Sequence, residues 1–130
     1  MNSMSSENIS VMNRFIEAVF TGDHEVLPGL LHPDFELLHS TTVPYAGTYR
    51  GADGFLCFLD IFMNSFEPLD LDTGETYAAP SGALVVEITL NGTLKSSGKR
   101  VETTMLEKWE FEDGLVRRIK PHYFDPNPAD

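Results

Sequence analysis

Apolar residues near the start of the chain recur at intervals of three and four: Ile9, Met12, Ile16, Val19 and Phe20. This spacing predicts one amphipathic helix with its apolar face inward. Ser5 or Ser6 is placed to cap it, with Glu7 in the first turn and Gly22 at its end. A second, shorter helix is expected over 24–31, bent or broken at Pro28 and Gly29. His32-Pro33-Asp34 reads as a turn. From Phe35 the period drops to two, so Phe35, Leu37 and His39 share one face of a short strand, and Glu36, Leu38 and Ser40 the other. A loop rich in Thr, Pro and Gly runs to Gly51. The segment 54–66 is apolar on nearly every side of a third helix, which predicts burial on more than one side.

The remainder reads as strands over 71–79, 83–95, 99–112 and 115–124. Turn signals separate them at Pro80-Ser81-Gly82, Ser96-Ser97-Gly98 and Asp113-Gly114. Asn91-Gly92 fits a bulge within one strand better than a hairpin turn, because the flanking segment is long. Helices first and long strands second predict an α+β fold: a cone-shaped, curved antiparallel sheet wrapped around N-terminal helices and enclosing a pocket. The 130 residues suit one domain spanning 1–130, with residues 1–4 and 126–130 as frayed tails.

One position breaks the pattern of the third long strand. Met105, Glu107, Trp109 and Phe111 share a face, while Leu106, Lys108, Glu110 and Glu112 share the other. Glu107 thus stands among apolar neighbours. A carboxylate there must find a partner such as Arg14 or Arg50, take up a proton, or look into a wet cavity. His39 is the second titratable group on an inward face, and two such groups on different strands form a candidate acid–base constellation.

Composition narrows the partners. A net charge of -11, from 20 acidic and 9 basic residues, disfavours nucleic acid and anionic membrane surfaces. The longest apolar stretch, 55–63, is too short to span a bilayer, and no segment resembles a signal peptide, so a cytoplasmic location is expected. The lone Cys57 reads as a small core residue. Ligand spacing for a metal is missing, and neither a metal nor any other cofactor is expected.

Four segments resemble the nuclear transport factor 2-like superfamily, which includes SnoaL-like polyketide cyclases and ketosteroid isomerases: R-F-I-E-A-V-F-T-G-D from Arg14, L-L-H-P-D-F-E-L from Leu30, Y-A-G-T-Y-R-G from Tyr45, and W-E-F-E-D-G-L-V from Trp109. The resemblance implies that His39 stands where those isomerases carry their general base, and Glu107 where they hold a protonated acid. The tyrosine of their first helix corresponds here to Phe15, which has no proton to give. Losing such a donor typically costs about 3 kcal/mol of transition-state stabilisation.

The expected function is therefore binding of a small apolar organic molecule. Chemistry, if present, would be cofactor-free acid–base isomerisation, cyclisation or dehydration of a carbonyl compound, with His39 as base and Glu107 as neutral donor. Phe15, Phe35, Tyr45, Tyr49, Met105, Trp109 and Tyr123 are the expected ligand-binding residues. Tyr123 is preferred to His122 as the inward residue of the last strand. A homodimer through the outer sheet surface is expected. The alternative is a non-catalytic ligand-binding or protein-interaction and dimerisation module.

Overall fold

The structure, a computed structural model, describes residues 3–39 and 43–125. Of the expected frayed tails, residues 1–2 and 126–130 lie outside the described residues, as does Ser40. Helix α1 spans Ser3–Thr21, starting earlier than the Ser5 or Ser6 cap implies. Its deepest apolar residues are Met12, Phe15 and Ala18, flanked by half-buried Ile9, Ile16 and Val19, while Phe20 is 46% exposed. Gly22 ends the helix in the left-handed region (φ 77), which lets the Asp23 amide reach back to the Ala18 carbonyl at 2.9 Å. The buried Asn8 donates to the Gly82 carbonyl at 2.9 Å, fastening the helix to a distant turn.

The second helical segment, His24–Leu30, is a 3-10 helix that buries Leu27 and Leu30. Strand β1, Leu31–His39, follows at once and absorbs His32-Pro33-Asp34, correcting the expected turn. What the turn signal registers is an irregularity: the six residues of β1 from Leu31 to Glu36 lie against three of the neighbouring strand, Val116 to Arg118. A short strand β2, Gly47–Arg50, emerges from the stretch read as loop.

Helix α2, Gly51–Asn64, buries Phe55, Phe58, Leu59 and Phe62, a stripe at i, i+3, i+4 and i+7. Its opposite side is open. Cys57 is exposed and Ile61 is 39% exposed, so the expected burial on several sides and the placing of Cys57 in the core are both corrected. Strands β3 (Phe66–Ala78), β4 (Leu84–Leu94), β5 (Arg100–Glu112) and β6 (Leu115–Tyr123) complete the chain.

The six strands form one curved, unclosed sheet in the order β2-β1-β6-β5-β4-β3. Every pairing is antiparallel except β1 with β6, which is parallel. Asn91-Gly92 lies in unbroken register with β5, and the irregularity sits opposite it on β3, between Phe66 and Leu69. Gly92 is needed for contact: a Cβ there would meet the Phe66 ring at 2.7 Å. With the helices on its concave face, the sheet makes an α+β cone.

Candidate functional site

The sheet register sets the site out in rows. Leu37, Ile119, Trp109 and Leu84 are successive cross-strand partners, and all four are buried. In the next row Glu107 pairs with Pro121 and Val86, and His39 continues that row beyond Pro121. Two strand spacings, about 10 Å between Cα atoms, thus separate the imidazole from the carboxyl. Alternation puts both side chains on the concave face.

The helices roof this row and leave a cavity of about 80 Å³. Phe15 of α1 and Phe55, Phe58 and Phe62 of α2 line it from above; Leu37, His39, Met105, Glu107 and Trp109 line it from the sheet. Phe20 also lines it and is largely exposed, which places the opening beside the last turn of α1. The wall is overwhelmingly apolar, and among the described residues His39 and Glu107 are its two titratable groups.

Glu107 accepts a hydrogen bond from Trp109 Nε1 at 3.2 Å. It makes no pair with the arginines considered for it: Arg50 binds Glu36, and Arg14 is exposed. Burial therefore pushes its carboxyl up from 4.5 to about 7, against the smaller opposing pull of the indole N–H. Near neutral pH such a group both holds and releases its proton.

His39 is 3% exposed. Its ring stacks on Phe58 at 5.6 Å between centroids and meets Tyr45 edge-on at 4.9 Å. Nε2 lies 3.1 Å from the Tyr123 hydroxyl, which lies 2.9 Å from the Tyr45 hydroxyl. Nδ1 is buried and has no hydrogen-bond partner among the described residues. Desolvation lowers the imidazole to about 4, so it is neutral at pH 7. Burial likewise pushes Tyr45 up to about 12 and raises Tyr123. The chain Tyr45–Tyr123–His39 is thus an uncharged hydrogen-bonded run from the interior to the cavity wall.

Of the residues expected to touch a ligand, Phe15, Met105 and Trp109 line the cavity. Phe35, Tyr45, Tyr49 and Tyr123 stand outside its wall: Phe35 is packed edge-on against Phe55, Tyr49 donates to the Tyr45 carbonyl at 3.1 Å, and Tyr45 and Tyr123 back His39. His122, by contrast, is exposed. The phenylalanines of α2 were missed as wall residues, although their spacing of three and four already marks them as one face.

Among the described residues one group has the makings of a cation site, His32, Glu112 and Asp113, with His32 Nε2 2.8 Å from Glu112. Its hydrogen bonding opposes that use. The Asp34 amide donates to His32 Nδ1 at 3.0 Å, so Nε2 carries the ring hydrogen and is spent on Glu112. The arrangement ties the start of β1 to the β5–β6 turn. No helix among the described residues is long and apolar enough to cross a membrane.

The same architecture recurs in solved structures. An NTF2-like protein from Burkholderia xenovorans is 21% identical over 91% of this chain and 89% of that one, with a TM-score of 0.79. TerC, co-crystallised with polyporic acid, is 21% identical over 90% of this chain and 91% of its own, with a TM-score of 0.76. RV0760c from Mycobacterium tuberculosis, in complex with estradiol-17beta-hemisuccinate, is 15% identical over 89% and 92% of the two chains, at a TM-score of 0.72. At these identities the likeness shows the fold. No curated protein matches the sequence. The profile of the SnoaL-like domain matches residues 12–119, and with most of the chain so covered, the protein belongs to the SnoaL-like domain family.

Proposed function

We propose that this protein binds a small, largely apolar carbonyl compound in the cavity and acts on it by acid–base chemistry without a cofactor, as an isomerase, cyclase or dehydratase. The observation that carries the reading is Glu107, a carboxyl on an apolar wall whose proton affinity is raised to about 7. A general acid or base works best when its pKa is near the working pH, and such a group typically contributes about 10²- to 10⁴-fold in rate.

The roles divide differently from the expectation drawn on sequence. An imidazole lowered to about 4 is a weak base at neutral pH, so proton transfer falls to Glu107. His39 serves instead as a neutral hydrogen-bonding group facing the same occupant. That TerC and RV0760c were each crystallised with an organic molecule supports ligand binding on this fold. The volume of about 80 Å³ is small beside the roughly 300–1,000 Å³ of drug-sized pockets. The ligand is accordingly compact, or extends outward past Phe20. A homodimer through the outer sheet face fits this reading, since Leu106 and Tyr77 are 44% and 51% exposed there.

The test is a thermal-shift panel of small ketones, enones and aromatic carbonyl compounds on wild type and Glu107→Gln. Stabilisation specific to one class and weakened in the variant is expected. A cooperatively melting protein that no compound shifts would overturn the proposal in favour of an interaction module.

A further inference from the structure

The run Tyr45–Tyr123–His39 can carry its hydrogens in two directions. In one, Tyr45 donates to Tyr123 and Tyr123 donates to His39 Nε2, which leaves the imidazole hydrogen on Nδ1. In the other, Nε2 donates to Tyr123 and Tyr123 to Tyr45, which leaves the Tyr45 hydrogen without an acceptor. Either direction strands one buried donor. They differ in where the donor ends up.

Tyr45 is fully buried, with Phe58, Phe62 and Phe66 within 6.3 Å between ring centroids. Among the described residues, the hydrogen-bond partner of that hydroxyl is Tyr123, so a hydrogen turned away from it has no acceptor there, and a buried unmet donor costs about 1–3 kcal/mol. His39 lines the cavity and spends Nε2 on Tyr123, so Nδ1, which has no hydrogen-bond partner among the described residues, is the nitrogen left for an occupant. A stranded Nδ1–H can be satisfied by whatever enters.

We infer that Tyr123, backed by Tyr45, holds His39 as the Nδ1–H tautomer, and that the cavity therefore selects a compound with two acceptor oxygens, one met by His39 Nδ1–H and one by the Glu107 carboxyl. Tyr123 and Tyr45 are positioning residues, since neither lines the cavity. The ligand half of this inference rests on the acid–base reading given above. The tautomer is a property of the empty protein and stands or falls alone.

Imidazole ¹⁵N NMR of the ligand-free protein reads the tautomer directly, with the His39 signals identified among the four histidines by their loss in His39→Gln. The expected result is hydrogen on Nδ1 in wild type and a mixture of tautomers in Tyr123→Phe. Hydrogen on Nε2 in wild type would overturn the assignment even if the Tyr123 variant fails to fold. For the ligand half, binding of cyclohexane-1,4-dione and cyclohexanone, equal in ring size, is compared by Trp109 fluorescence. The dione is expected to bind about tenfold more tightly, the value of one further hydrogen bond. Equal binding overturns the two-acceptor rule. Binding of neither, with the tautomer as expected, overturns the ligand-pocket reading while leaving the tautomer assignment in place.

Discussion

Trp109 donates its indole N–H to the carboxyl of Glu107 at 3.2 Å, two residues back along β5 and on the same face of the strand. The partner of this half-buried acid is thus its own strand neighbour, a neutral donor. A lysine or arginine at that distance would have pulled the carboxyl down. Trp109 leaves desolvation in command.

Because Trp109 is the single tryptophan, its emission reports the charge state of the group it touches. A pH titration of intrinsic fluorescence should show a transition centred near 7, the value to which burial raises Glu107. In Glu107→Gln the transition should vanish. A flat wild-type curve between pH 5.5 and 8.5 would contradict the raised carboxyl.

Stability should follow the same groups with opposite signs. Folded Glu107 keeps its proton to about 7, while the unfolded chain releases it near 4.5, so stability falls as pH rises between those values, by on the order of 3 kcal/mol in full. Folded His39 takes a proton only near 4, against 6.5 when unfolded, so its contribution falls as pH drops through that window. The two slopes offset each other from about 4.5 to 6.5 in wild type. Urea denaturation of Glu107→Gln should lose the opposing Glu107 slope, and at pH 8 the variant should exceed wild type by about 2 kcal/mol. A variant no more stable than wild type at pH 8 would refute this.

Phe20→Ala should widen the opening at little expense. The side chain is 46% exposed, so its loss should lower stability by less than about 1 kcal/mol, while ligands larger than the cavity bind several-fold faster. Stopped-flow fluorescence checks the rate, and an unchanged association rate would place the opening elsewhere.

Gly92→Ala should be costly for a reason unrelated to the cavity. The added methyl would meet Phe66 at 2.7 Å and the Pro68 carbonyl at 3.1 Å, and overpacking of that kind costs about 1–3 kcal/mol. Urea denaturation reads the loss. A neutral outcome would show that β3 yields at its irregularity.

Much of this was legible in residue order. The period-two runs gave four long strands, three of them to within a residue or so and the first starting five residues earlier than expected, at Phe66, and alternation put Phe35, Leu37 and His39, and Met105, Glu107 and Trp109, on inward faces, as burial confirms. Strand β2 escaped notice because four residues, Gly47 to Arg50, carry too little pattern to stand out from a loop. The turn expected at His32-Pro33-Asp34 failed because a proline in an irregular strand carries the same local signal as a turn. Tyr45, Tyr49 and Tyr123 were expected at a ligand and stand outside the cavity wall. Facing inward is a matter of strand phase, but reaching the cavity depends on how α2 packs, and three phenylalanines of that helix occupy the space first.

The parallel pairing of β1 with β6 also governs when the site can exist. His39 belongs to the first third of the chain and its partner Tyr123 to the last strand, so the loop that must close between them is most of the protein. During synthesis the earlier segments can form the helices and the β1–β2 hairpin, yet the tautomer-setting contact, and the Pro121 that separates imidazole from carboxyl, arrive only with β6. Truncations that remove β6 should leave a chain with Glu107 and His39 both present and no relationship between them.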